Sequence, residues 1–476
     1  MSGRRTRAPQ RWLVSAATLS ALFSSGVQAQ PDPLPPSVSP LTPPVRGGAA
    51  AQEPVSLQEA IQIAQQNHAR VAVAEESVES ARQQVRIART GTLPSISGEV
   101  GYQGRGTSNL GGLFGPTPTQ TIPGVDGQPP TRSRLDTDTA TFDRGIQPRI
   151  GLSYTLYDAG LTRTSVRQAR AGVESNIANL GAVRNNLTLD VTSAYLAQLR
   201  ADRILTLRRV QEELAAEQLR RVEARVREGA AAEADRALPL SEYRNRQVDR
   251  ILAQNDVRVA ANTLRNIMGL KVGTELRLVE LREQVEPLPT VETLRAVAER
   301  ERPEVIQAEA QMRVSQASVT LARIQRKPRL DTSFSFDVTP NDPFQRSNFA
   351  VGAAVSMPLW DAGLTHAREL QARTQVQTAA AQLEQIRKDV EADVVEAYLN
   401  LANARERLEA SRLAVEAAQV NLEQTTARYE RGLAGVTVVD LIQAQVQFAS
   451  ASNSAIQALY DTHFAQAQLN RAIGRG

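Results

Sequence analysis

The histidines and turn motifs of the sequence give little basis for catalysis. His68, His366 and His463 stand alone on helical patterns, without the His-x-x-x-His or Glu-x-x-His spacing that places two metal ligands on one helix face. There is no cysteine, which excludes disulfides, catalytic thiols and thiolate metal sites. No glycine-rich phosphate loop and no Gly-x-Ser-x-Gly turn occurs. We therefore predict that the protein is not an enzyme and binds no cofactor or metal.

Two aspartates at matching positions have a clear local role. Asp235 and Asp440 each follow a glycine-containing turn and stand near the predicted start of a helix. A carboxylate at that place is favoured by about 0.3–1 kcal/mol through the helix dipole. This helix-terminus interpretation stays open beside the functional one given below.

The first residues of the chain predict export. Four arginines precede an apolar stretch that ends in the small-residue cleavage site Val27-Gln28-Ala29, so we assign residues 1–29 to a signal peptide. Without those arginines, 51 basic residues balance 51 acidic ones, and the overall positive charge is no argument for a nucleic-acid partner. Residues 30–54 are rich in proline and predict an extended N-terminal segment.

Beyond that segment the sequence repeats itself. Ser56–Val100 aligns with Thr290–Phe334 without a gap, and Leu156–Thr162 aligns with Leu359–Thr365. We predict a first structural repeat at 55–269, a linker at 270–289 and a second repeat at 290–476. Only 4% of the residues are aromatic, which fits long helices better than a compact enzyme core.

Within each repeat the hydrophobic period changes twice. A heptad pattern first predicts one helix of about 34 residues. Strict alternation then predicts two strands, within the hairpins 95–157 and 330–360, each apolar on one face. A long glycine- and threonine-rich insertion between Gly104 and Asp143 predicts a flexible surface loop. A helix of about 67 residues and a return helix of about 35 residues follow, and the long helix spans on the order of 100 Å.

These lengths predict an assembly. No stretch has the 18 or so apolar residues of a spanning helix, so entry into a membrane requires a β-barrel. Four strands per chain cannot close one, whereas three chains supply twelve strands. We predict a mainly α protein with membrane β-structure: a homotrimer with a 12-stranded barrel in lipid, continued by a long, hollow α-helical barrel. The aromatic anchors at the membrane interfaces are Tyr102, Tyr157, Phe349 and Trp360.

At this point the sequence resembles the outer-membrane efflux protein family, the TolC-like channels. The resemblance covers almost all of the chain from Pro54 to Gly474. It rests on the duplicated element order, on Pro358–Gly363 after a strand, and on Arg428–Leu433 followed by Thr437–Asp440 at a helix turn. It implies that the 12-stranded barrel lies in the outer membrane and the long α-helical barrel in the periplasm. It further implies a trimeric exit duct that passively conducts substrates from a periplasmic adaptor and an inner-membrane pump, in a tripartite efflux or type I secretion system.

The same resemblance implies roles for residues at the two helix turns. In the family, an Asp after the first turn and a Tyr and an Arg flanking the second turn hold the entrance shut. Asp235 and Tyr429 match the first two, whereas the Arg is absent unless Arg431 replaces it. The family's constricting Asp pair matches Asp440 but departs at Gln443, so weaker cation selection is expected. The helix-turn tips expected to contact the adaptor are Gly229, Arg431, Gly432 and Leu433.

Three alternatives remain from the sequence. The strands could be ordinary amphipathic hairpins on a soluble core. The chain could be a periplasmic coiled-coil adaptor or structural scaffold that never enters lipid. An exported lytic enzyme would need a compact acidic pair in a cleft, and the sequence offers none.

Overall fold

The computed structural model describes residues 54–107, 119–122, 131–134, 141–271, 273–274, 276–281, 287–338, 347–431 and 436–475. The predicted signal peptide and nearly all of the proline-rich segment lie outside these residues, as do Gly432 and Leu433. No helix among the described residues is long and apolar enough to cross a membrane.

The described chain is mainly helical and carries the duplicated element order that the sequence predicted. The first half contains α1 (Leu57–Asn67), α2 (Ala69–Thr90), β1 (Ser95–Thr107), β2 (Thr119–Ile122), β3 (Thr131–Arg134), β4 (Thr141–Tyr157), α3 (Leu161–Arg227), a 3₁₀ turn (Glu233–Arg236) and α4 (Ala237–Ile267). The second half contains α5 (Val291–Glu301), α6 (Pro303–Ile324), β5 (Arg329–Val338), β6 (Ser347–Ser356), α7 (Leu364–Glu430) and α8 (Val438–Ala472). Helices α3 and α7 both have 67 residues.

The single first helix predicted for each repeat is wrong, because each is two helices. His68 and Arg302 adopt extended backbone angles and separate α1 from α2 and α5 from α6. Pro303 explains the second break, since proline cannot donate the amide that would continue a helix. The first break has no such signal. There the imidazole Nδ1 of His68 accepts the amide of Arg70 at 3.2 Å and caps the new helix.

The strands form one antiparallel sheet in the order β1-β4-β5-β6. In the first hairpin Ser95 lies opposite Ser153, and in the second Arg329 lies opposite Ser356. Across the middle of the sheet Leu152 lies opposite Phe334. This register gathers the apolar side chains on one face and the polar ones on the other, which confirms the predicted alternation. The apolar face is exposed in the single chain.

The insertion of the first hairpin differs from the expected loop. Strand β1 runs to Thr107 and β4 starts at Thr141. Between them β2 and β3 pair antiparallel as a separate two-stranded ribbon, Thr119 lying opposite Arg134. The threonines of this segment favour strand, and their effect is not visible in a composition dominated by turn residues.

Each long helix starts from the same turn. Asp158 accepts the amides of Gly160 and Thr162 at 2.8 and 2.6 Å, and Asp361 accepts those of Gly363 and Thr365 at 3.1 and 2.9 Å. The alanine and the glycine after each aspartate have positive φ, and their left-handed backbone turns the chain from strand to helix. The duplicated Asp-Ala-Gly-Leu-Thr segment is therefore a helix-capping turn.

The helices lie side by side around the long α3 and α7. Next to the sheet, α2 packs against α3, α3 against α6, and α6 against α7. Toward the turns, α4 and α8 both pack against α3, and α8 also packs against α7. One apolar cluster lies in each half, around Tyr195 in the first and around Leu401 in the second. The layout leaves α2 and α4 at one lateral edge and α7 at the other.

Candidate functional site

The first helix turn is closed by a glycine. Gly229 has a φ of +74°, and its amide donates to the carbonyl of Val226 at 3.0 Å. The next amide, of Ala230, reaches the carbonyl of Arg225 at 2.8 Å. These two bonds make the Schellman ending in which glycine avoids the steric cost of a left-handed residue. The predicted turn role of Gly229 thus has a geometric basis.

Both aspartates singled out in the sequence cap the start of the helical segment in which they lie. Asp440 accepts the amide and the hydroxyl of Thr437, each at 2.7 Å, and its own amide donates to that hydroxyl at 3.4 Å. These hydrogen bonds, the backbone one first, hold the pKa of the Asp440 carboxyl below its ordinary value. Asp235 accepts the amide of Ala232 at 3.0 Å. Both side chains are exposed, so capping leaves their charge open to solvent.

The two long helices meet near these turns through polar contacts. The guanidinium of Arg221 on α3 lies 2.6 Å from Glu217 on its own helix and 3.2 Å from Glu430 on α7. One turn further along α3, Arg225 donates to the hydroxyl of Tyr429 at 3.5 Å. The two carboxylates raise the pKa of Arg221, which keeps it charged. The contacts hold the ends of α3 and α7 together within one chain.

A second ion pair ties the first turn to its own helix. The guanidinium of Arg236, in the 3₁₀ turn, lies 2.9 Å from Glu223 on α3 and 3.8 Å from Glu233. Arg236 adjoins Asp235, so the same short turn carries a capping carboxylate and an anchored arginine. This end of the structure is therefore a dense set of charged groups on exposed helix termini.

Among the described residues, no hydrogen bond or ion pair joins the remaining predicted gate residues to one another. Gln443 is exposed, about one helical turn after Asp440, and Arg431 is exposed at the end of α7. Within the described residues, no hydrogen bond links Asp235 to Tyr429, whose hydroxyl instead faces Arg225. The predicted tip residues Gly432 and Leu433 lie outside the described residues. The roles of all these residues remain predictions.

Sequence reasoning missed Arg221, Glu430 and the pairing of Arg225. The mixed charges between Arg220 and Arg227 are typical of a solvated helix face, and most residues in such a pattern point into solvent without a distant partner. Arg221 and Glu430 are 209 positions apart, so no local spacing marks them as partners. The signal in the sequence is the alignment of the two repeats: extended from Leu156–Thr162 and Leu359–Thr365 without a gap, it matches Arg225 with Arg428, the neighbour of Tyr429.

The four aromatic residues predicted as membrane anchors are exposed at two levels of the sheet. Tyr157 ends β4 and Trp360 follows β6, both at the end nearer the helices. Tyr102 and Phe349 lie toward the opposite end: Tyr102 is opposite Ile146, eleven residues before Tyr157 on β4, and Phe349 lies seven residues before the last residue of β6. At about 3.4 Å per residue, eleven residues of β4 cover roughly 37 Å along the strand. Strands of outer-membrane barrels are tilted by about 45°, so this length corresponds to roughly 26 Å of height, which suits the two interfaces of an apolar band about 25 Å tall.

The family can now be assigned. A model of the outer membrane efflux protein family matches residues 60–270 and 294–475, which is most of the chain and includes both halves. The chain belongs to that family. It is an outer-membrane protein, and the predicted resemblance and the mainly helical fold with four antiparallel strands are confirmed. The predicted trimer and its 12-stranded barrel stay predictions.

Individual relatives agree with this assignment. The chain is 27% identical to the outer membrane protein TolC of Vibrio cholerae over 62% of this chain and 68% of that protein. It is 25% identical to protein CyaE of Bordetella pertussis over 67% of this chain and 69% of that one. The crystal structure of the Campylobacter jejuni CmeC outer membrane channel superposes with a TM-score of 0.73 at 14% identity, over 88% of this chain and 86% of that chain.

Proposed function

We propose that three copies of this chain form an exit duct that passively conducts substrates across the outer membrane. The chain belongs to the outer membrane efflux protein family, and we propose here its assembly and its role in transport. In this assembly, the three four-stranded sheets close a 12-stranded barrel, and the helices continue the barrel as a periplasmic tunnel.

The observation that carries the proposal is the four-stranded sheet with two unpaired edges and an exposed apolar face. Among the described residues, the outer strands β1 and β6 each have a partner on one side only. In lipid the unpaired backbone groups would each cost several kcal/mol, because no water is present to bind them. Neighbouring copies satisfy those groups, and the exposed apolar face then contacts lipid.

The helix turns supply the entrance of the duct in this proposal. Helix α3 is held against α7 by two contacts, Arg221 with Glu430 and Arg225 with Tyr429. The carboxylates of Asp235 and Asp440 lie at the same end. We assign to this set the gate that was predicted for Asp235, Tyr429, Asp440 and Gln443. Gly229, Arg431, Gly432 and Leu433 are the proposed contacts of a periplasmic adaptor joined to an inner-membrane pump.

The test combines location, assembly and conductance. We expect the protein in the outer-membrane fraction as a trimer that resists SDS until heated, and we expect channels when it is added to planar bilayers. Arg225→Ala and Tyr429→Phe should each increase the open conductance, while Tyr243→Phe on α4, whose side chain faces Arg244, should not. A monomer that dissolves in sarkosyl and forms no channel would support the periplasmic scaffold instead.

A further inference from the structure

We propose that neighbouring copies join through the same relation that joins the two halves of one chain, which places Val355 of β6 opposite Val100 of β1 in the next copy. The same relation packs α7 against α4 of that copy. The inference rests on the proposed trimer and adds the residue pairing of its interface.

The strands give the register. The pair Ser95–Ser153 in the first hairpin corresponds to Arg329–Ser356 in the second, so the halves are related by offsets of 234 and 203 residues. Between the halves, Leu152 of β4 lies opposite Phe334 of β5. Applied to that pair, the same two offsets give Val355 and Val100. The free edges β6 and β1 thus receive a defined alignment.

This register also keeps the faces of the sheet consistent. Val355 and Val100 both lie on the apolar face, with 71% and 77% of their surface exposed in the single chain. A slip of one residue would bring the polar face of one strand onto the apolar face of the other. The pairing therefore continues the apolar face from one copy to the next without interruption.

The helices nearer the turns show the same relation through a covered groove and an uncovered one. In the first half, α8 lies over the groove of α1 and α3 and leaves a cavity of about 460 Å³ there. Leu196 in this groove is only 3% exposed and lies beside Tyr460. The matching groove of the second half, between α5 and α7, is open, with a volume of about 560 Å³. Its residue Leu399 corresponds to Leu196 and is 59% exposed.

An apolar stripe on α4 fits that open groove. Helices α4 and α8 correspond with an offset of 205 residues, since both end at a glycine of positive φ, Gly269 and Gly474. Ile456 and Phe464, which pack α8 onto the first half, thereby correspond to Ile251 and Val259 of α4. Both of these are exposed at the lateral edge opposite to Leu399. The α4 of the next copy supplies the occupant that α8 supplies within the chain.

The helices next to the sheet indicate the same relation between neighbouring copies. On α3 the small residues Thr164, Ala171 and Ala178 recur every seven positions and are buried, and Ala171 lies at the contact with α6. The matching residues of α7 are equally small and regularly spaced but exposed: Ala367, Thr374 and Ala381. Small side chains in one stripe permit close approach of a further helix. By the same relation that helix is α2 of the next copy.

The experiment uses the absence of native cysteine from the chain. The variant Val100→Cys with Val355→Cys is purified as the assembled full chain and oxidised, or treated with a short bis-thiosulfonate linker. Within one chain the two positions lie three strand spacings apart across the sheet and eight residues apart along it, roughly 30 Å in all and beyond the reach of a disulfide. We expect a covalent trimer on non-reducing denaturing gels that returns to monomer on reduction. The matched control, Ile96→Cys with Val355→Cys, moves one thiol by four residues, about 13 Å, and should stay uncrosslinked.

A second measurement addresses the helices. Leu399→Glu should lower the temperature at which the SDS-resistant trimer dissociates, whereas Val210→Glu should not. Val210 is also exposed, but it lies on α3, which already has both lateral neighbours within the chain. A trimer that crosslinks only in the control variant, or in neither, overturns the register while leaving the exit duct intact. An uncrosslinked monomer overturns both.

Discussion

At the scale of single residues, the two aspartates near the helix turns combine the two interpretations drawn from the sequence. Asp440 caps α8 through Thr437, and Asp235 accepts the amide of Ala232 before α4. Capping fixes the position of each carboxylate, and exposure leaves its charge available to ions. A fixed, exposed negative charge is what a cation-attracting constriction requires. The structural role therefore supports the proposed functional role and does not compete with it.

The lowered pKa of Asp440 predicts how cation preference depends on pH. A depressed pKa means that the carboxylate keeps its charge to lower pH than usual, and loses it only as the pH falls through the folded-state value. Wild-type channels should therefore stay cation-preferring at the ordinary aspartate value of 3.8. Thr437→Ala removes the hydroxyl donor, so its preference should fade at a higher pH. Reversal potentials in a salt gradient, recorded from neutral to acidic pH, measure both.

Asp440→Asn provides the control for that titration. It removes the charge while keeping an oxygen that can accept the amide of Thr437. Its preference should be weaker than that of wild type at neutral pH, and it should change little with acidification. If all three proteins give the same curve, Asp440 does not contribute to selection.

At the scale of elements, a glycine at the end of each return helix lets that end approach the backbone of another helix closely. Gly474 follows α8 with a φ of +87°, and a Cβ at this position would lie 2.8 Å from the carbonyl oxygen of Glu301. Arg475 then forms an ion pair with Glu301 at 2.9 Å. The end of the return helix thus locates the break between α5 and α6, and Gly269 approaches Asn67 in the first half in the same way.

Alanine substitutions should separate this constrained glycine from an unconstrained one. Gly474→Ala combines a left-handed backbone with a clash against main chain, so we expect destabilisation on the order of 1–3 kcal/mol. Gly172→Ala lies in the interior of α3 with open space around its Cβ. It should stabilise the helix by about 0.5–1 kcal/mol. Heat unfolding followed by circular dichroism measures the two shifts, and equal shifts would contradict the close approach.

The turn before each long helix makes another prediction. Asp361 accepts two amides and, in addition, the hydroxyl of Thr365. Asp361→Ala leaves these donors without their acceptor and should lower the unfolding temperature, whereas Asp361→Asn should retain part of the capping. Asp337→Ala, on a half-buried strand position, is the control for loss of charge. An unchanged temperature in Asp361→Ala would show that water replaces the cap.

Much of this element order was predictable, and the exceptions have identifiable causes. Heptads and alternation marked the helices and strands because each buries or presents one face along its length. The break at His68 was not predictable, since it depends on packing of the return helix rather than on a breaker residue. The contact between Arg221 and Glu430 was equally hidden, because it joins two helices whose sequences are far apart. Local periodicity finds elements but not the pairs between them.

At the scale of the whole molecule, one lateral relation recurs in the sheet and in both levels of helices. It joins β4 to β5, α3 to α6, and α3 to α8 within the chain. If the same relation also joins the outer edges of neighbouring copies, the copies form a closed ring. In that ring each half of each chain contacts one half on either side in the same way. The contacts between α3 and α7 near the turns are an addition to this relation, because they join the two long helices directly. A ring that opens at one end needs such separable contacts.

The ion pair of Arg221 and Glu430 therefore offers a test of opening that separates charge from packing. Arg221→Glu places a third carboxylate beside those of Glu217 and Glu430 and should increase conductance, and Glu430→Arg should do the same by opposing two guanidinium groups. The double variant restores an ion pair with reversed sign and should return conductance toward the wild-type value. High salt should reduce the differences, since both side chains are about half exposed and such pairs are screened. A double variant as open as the single ones would show that the effect is loss of packing, and the proposed contact would not be part of the gate.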